Sequence, residues 1–173
     1  MLGLAALFLA AASTSASPSL VSTASWWEKV TYTITGDGQQ QSCRFESSLG
    51  GATAEPCNDE KSSTQVRNAA GKSDGSYTKI TIERRFSPGG QLEPFKLETG
   101  DTLLGGQVLA LEIDKSGAVQ SCETVATSKD LKPAYDCEQA RAERFEASAG
   151  RSSQQVRQGL MTILVYGHEE ELA

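Results

Sequence analysis

Gly105-Gly106-Gln107-Val108-Leu109-Ala110-Leu111-Glu112-Ile113-Asp114-Lys115-Ser116-Gly117-Ala118-Val119 carries most of the information on the fold. Leu109, Leu111 and Ile113 alternate with Ala110 and Glu112, and a period of two predicts a strand over Gln107–Asp114. Lys115-Ser116-Gly117 is a short turn, so Ala118–Ala126 is the return strand and carries Cys122. Further on, Asp130 can cap a helix from Leu131, with Pro133 tolerated in its first turn. Leu131, Ala134, Tyr135, Ala142 and Phe145 fall on one stripe of that helix, and Gly150 ends it. Gln155–Tyr166 is a last strand with apolar residues on both faces, so it should sit well covered. The second half therefore reads β-β-α-β.

Upstream the same alternation recurs. Val30, Tyr32 and Ile34 define a strand over Glu28–Thr35, which runs into the turn Gly36-Asp37-Gly38. Gln41–Ser47 follows, with Cys43 and Phe45 on one face, and Ser76–Phe86 alternates again. Ser48–Ala54 and Asn58–Ser63 are polar, and Asn68–Gly75 reads as a glycine-bearing loop. Trp26 and Trp27 would point to opposite faces of a strand, one inward and one toward solvent. Ser87-Pro88-Gly89-Gly90 is the boundary. The expected organisation is a small antiparallel β domain over 26–90 and an α+β domain over 91–168.

The chain has 173 residues and a formal net charge of −6, and an acidic chain repels phosphate backbones, which argues against nucleic-acid binding. Leu2–Ala12 is an uncharged apolar stretch followed by small residues, Ser13–Ser17. This is the layout of a secretory signal peptide over residues 1–16, with Thr14 and Ala16 at the −3 and −1 positions. The stretch is too short for a permanent membrane anchor. The expected location is periplasmic or secreted, after cleavage near Ala16. An exported chain enters an oxidising compartment, so Cys43, Cys57, Cys122 and Cys137 are expected in disulfides. Three connectivities exist. The local one, Cys43–Cys57 and Cys122–Cys137, closes two loops of about 15 residues, each contributing ~3 kcal/mol in the chain-entropy model. Neither pair has the spacing of a redox or zinc motif.

The second half, about residues 105–168, resembles the C-terminal domain of the TonB family. The landmarks are the strand opened by Gly105, the turn Asp114-Lys115-Ser116-Gly117-Ala118-Val119, a helix ending in Arg144-Phe145, and the apolar strand Gly159–Tyr166. A helix cysteine paired with a second-strand cysteine, Cys137 with Cys122, resembles a disulfide-bearing exported variant. The resemblance implies a two-layer β-β-α-β unit, preceded here by the small β unit. It also implies that a receptor peptide, or another envelope protein or peptide, adds along a sheet edge. Carried over residue by residue, the pairing strand is Gly159, Leu160, Thr162, Leu164 and Tyr166. An open edge there favours peptide binding. An edge already paired by the first half favours a scaffold.

No catalytic constellation stands out. His168 is the only imidazole and lies in an acidic tail, where it reads as exposed. No cofactor or metal site is expected. Arg141, Arg144, Arg151 and Arg157 form a loose basic zone. The function classes are a non-catalytic binding module, a small hydrolase or hydrolase inhibitor acting through the first half, and a divergent TonB-type component of transmembrane transport.

Overall fold

The computed structural model describes residues 19–50, 57, 59–72, 75–148 and 156–170. The expected signal peptide, Gly150, Arg151 and the start of the last strand at Gln155 lie outside them. Six strands, β1 (Trp26–Ile34), β2 (Gln40–Ser47), β3 (Lys79–Pro88), β4 (Asp101–Ile113), β5 (Val119–Ser128) and β6 (Arg157–His168), form one antiparallel sheet in the order β2-β1-β3-β6-β4-β5. Two short helices, α1 (Glu60–Ala70) and α2 (Cys137–Ala142), lie on one face of it, so the fold is α+β.

The sheet does not stop at Ser87–Gly90. β3, from the first expected domain, pairs along its whole length with β6, from the second. The two expected domains are therefore halves of one sheet. An apolar β6 is best covered as an interior strand, bonded to β3 on one side and β4 on the other.

The halves repeat one another. Each runs β-β-α-β, and each carries a disulfide from its second strand to the start of its helix region. The same 79-residue spacing separates Ile34 from Ile113, Gly38 from Gly117 and Cys43 from Cys122. Both hairpins share a register shift, between Thr33 and Ile34 and between Glu112 and Ile113. Their turns close through equivalent bonds: Gly38 N–H to Thr35 O at 2.8 Å, and Gly117 N–H to Asp114 O at 3.0 Å. The spacing also relates Arg84 to Ile163, and these two face each other across β3 and β6. An approximate two-fold axis thus passes through the centre of the sheet.

The helices depart from expectation. α1 occupies residues read as polar or loop, because its only large apolar side chain is Val66 and no stripe is visible. Asp59 starts it, accepting from the backbone N–H groups of Lys61 and Ser62 at 3.3 and 3.0 Å. Gln65, Val66, Ala69 and Ala70 are its buried face. α2 is much shorter than the expected 131–150 helix. Its cap is Asp136 rather than Asp130, in a capping box with Gln139. After Ala142 the backbone extends, which seats Phe145 in the core against Phe86, ring centroids 5.2 Å apart.

That extended segment fixes a demand on Gly117. Its φ is +86°, and a Cβ there would lie 1.8 Å from the Phe145 carbonyl oxygen. Gly38, its counterpart, has φ +78° but nothing nearer than 3.4 Å. Gly117→Ala should therefore cost about 3 kcal/mol or more, and Gly38→Ala about 1–2 kcal/mol. Equal losses in urea denaturation would refute this account of the turn.

Candidate functional site

Every second residue of β1 turns toward the helices, and Trp26, Glu28, Val30, Tyr32 and Ile34 are all buried. Trp26 is the inward tryptophan, donating its indole N–H to Val21 O at 2.8 Å, while Trp27 lies on the other face. Most of this layer is apolar. Arg84 and Glu28 are the charged exceptions, directly opposite each other on β3 and β1, with Ile163 of β6 on the other side of Arg84.

Two carboxylates and two rings hold the Arg84 guanidinium. Its Nε donates to Glu28 Oε2 at 2.6 Å and its Nη1 to Glu143 Oε1. Its centre lies 5.3 Å from the Trp26 ring and 5.2 Å from the Tyr135 ring. Burial alone would make the guanidinium easier to deprotonate. The adjoining Glu143 and Glu28 carboxylates outweigh that and push its pKa further up, so Arg84 is a permanent cation. Burial also raises the Tyr135 hydroxyl well above the ordinary tyrosine range, so it stays protonated and donates toward Glu143.

Above this ion pair a cavity of about 430 Å³ opens between the sheet and the helices. That is within the usual size of a small-molecule pocket. Val30, Phe45, Ile82 and Ile163 form its apolar floor, and Glu28 and Arg84 its polar one. α1 supplies Lys61, Ser62 and Gln65 on one side, and residues 134–143 supply Tyr135, Ala142 and Glu143 on the other. The short α2 leaves this space open. It lies where the two halves meet.

The residues assigned to peptide pairing lie elsewhere. Gly159, Leu160, Thr162, Leu164 and Tyr166 are all on β6, paired with Pro88, Ser87, Arg85, Glu83 and Thr81 on one side. On the other they pair with Leu111, Ala110, Val108, Gly106 and Leu103. β6 is therefore not an edge, and the expected binding strand is corrected to an interior one. Leu160, Thr162, Leu164 and Tyr166 face away from the helices. There the fully buried Glu83 accepts from Tyr166 Oη at 2.9 Å and also pairs with Arg85. Burial, then the nearby Glu83, raises the Tyr166 pKa and keeps it a donor. The segment at 91–100 partly covers this face, with Phe95 against Tyr166 at 6.0 Å.

His168 is not a free tail residue. It ends β6, and its Nδ1 is 2.8 Å from Asp101 Oδ1 at the start of β4. No nucleophile is seen hydrogen-bonded to its ring among the described residues. The basic zone is dispersed as well. Arg157 binds the carbonyls of Asp114 and Glu146 at 2.9 and 2.8 Å, Arg141 reaches Cys122 O, and Arg144 is exposed. Both local disulfides are present, with Cα–Cα distances of 5.7 and 5.5 Å. Among the described residues no group of three or more His, Cys, Asp or Glu could hold a metal ion, and no helix is long and apolar enough to cross a membrane.

No family model, curated protein or solved structure matches this chain. The Arg84 cluster escaped sequence reading because its members come from β1, β3 and the segment after α2. The one available signal was an arginine at an inward position of an alternating strand, Ile80-x-Ile82-x-Arg84-x-Phe86.

Proposed function

We propose that this is an exported, non-catalytic envelope protein that binds a small, largely apolar molecule in the cavity between its two halves. The observation that carries this reading is the 430 Å³ cavity, apolar in most of its lining, with a fixed Arg84–Glu28–Glu143 cluster at its base. Export to the periplasm or medium is supported by the two disulfides and the apolar N-terminus. The order β4-β5-α2-β6 supports the TonB C-terminal resemblance for the second half, and the repeat extends it to the first. In that reading β3 takes the edge at which the family receives a receptor peptide. A role in transmembrane transport through such a peptide is accordingly not favoured.

The test uses protein recovered from the extracytoplasmic fraction of its native host, with a chain that should start near Ser17. Titration with Nile red, an apolar fluorophore, should show saturable binding at one site. Ala142→Trp, which places an indole in the cavity, should remove it. A chain retaining Met1 would refute export. Absence of Nile red binding, or unchanged binding by a folded Ala142→Trp variant, would refute the cavity as the site.

A further inference from the structure

The cavity is short of one positive charge. Glu28 and Glu143 both line it, and one guanidinium serves them both. Arg84 uses one nitrogen for each, engaging Glu28 Oε2 and Glu143 Oε1. The remaining oxygens, Glu28 Oε1 and Glu143 Oε2, receive no hydrogen bond from a described residue. At the mouth, Asp59 and Lys61 offset each other formally. The lining therefore holds three carboxylates against two cations.

Location makes this excess specific. Glu28 is 8% exposed, and Val30, Ile82 and Ile163 adjoin it on the floor. An anion brought there would leave water to meet two carboxylates, at a large desolvation cost. A neutral apolar molecule would fill the space and leave both free oxygens unmatched. A primary ammonium has three donors and one charge, which suits two acceptor oxygens and one excess negative charge.

Resting on the reading of this cavity as the binding site, we infer that its ligand is an amphiphilic monocation, a primary amine head on an apolar body. The ammonium bridges Glu28 and Glu143 beside Arg84. The body lies along Val30, Phe45, Ile82 and Ile163, the apolar part of the floor. Trp26 stacks on Arg84 and is positioned to report occupancy through its emission.

Calorimetric titration of the mature full chain at pH 7 with n-octylammonium, 1-octanol and n-octanoate tests this. The apolar body is common to all three, and only the head differs. Octylammonium should bind at least about tenfold more tightly than octanol, the scale of one charge-assisted hydrogen bond, and octanoate most weakly. Glu143→Gln removes the excess charge and should lower octylammonium affinity about tenfold, and so narrow the gap between octylammonium and octanol. The ranking of the three probes in the unaltered chain stands whether or not that variant folds. Octanol binding as tightly as octylammonium, or octanoate binding best, overturns the inference and leaves the cavity reading intact. No binding by any probe removes the cavity reading, and the inference with it.

Discussion

Arg84→Met should destabilise the protein by about 3–5 kcal/mol in urea denaturation, because it strands two carboxylates that now share one cation. Glu28 is the costlier of the two, with its side chain 10% exposed against 27% for Glu143. Methionine fills similar volume, so the loss is electrostatic rather than a cavity effect. Arg84→Met combined with Glu28→Met should recover part of the loss, since it removes the more buried carboxylate together with its cation and leaves only the more exposed Glu143 unpaired. A single variant within 1 kcal/mol of the parent would mean that water, not Arg84, solvates Glu28.

Removing both disulfides should be the most damaging change. Their sequence separations of 14 and 15 residues give ~3 kcal/mol each, against a typical total stability of about 5–15 kcal/mol. Cys43→Ala/Cys57→Ala and Cys122→Ala/Cys137→Ala should each lower the unfolding free energy by about that amount. The bridges hold the two outermost strands, β2 and β5, at opposite ends of the sheet. Separation on that scale makes their effects additive, so the fourfold variant should lose ~6 kcal/mol and be poorly folded at 37 °C. Clear non-additivity would show that the ends communicate through the centre.

Much of the sheet was legible because strands write themselves as alternation. Val30-Tyr32-Ile34 and Leu109-Leu111-Ile113 place two strands within a few residues, and Gly38 and Gly117 mark the turns. Helices were harder. α1 buries Val66 and two alanines, too little apolar surface to print a stripe, although Asp59 and Gly71 bracket it. The expected helix is longer than α2 because Leu131 and Phe145 reach the core from backbone outside it, at positions that mimic helical spacing. The pairing of β3 with β6 was not written locally at all. It depends on the match between halves, whose trace is Ile-x-x-x-Gly-x-x-Gln-Ser-Cys at Ile34–Cys43 and again at Ile113–Cys122. Reading each half separately hid that trace, and with it the cavity formed where the halves meet.

The pair Arg84 and Ile163 has a consequence for what a single polypeptide permits. In a homodimer of one such half, the contact would be isologous, and a residue on the symmetry axis would meet its own copy. Arginine there would face arginine, and isoleucine would face isoleucine. Neither self-pair gives one guanidinium shared by two acids above an aliphatic floor. Joining the halves in one chain lifts that restriction, so a lone charge can stand at the midpoint with a hydrocarbon as its mate.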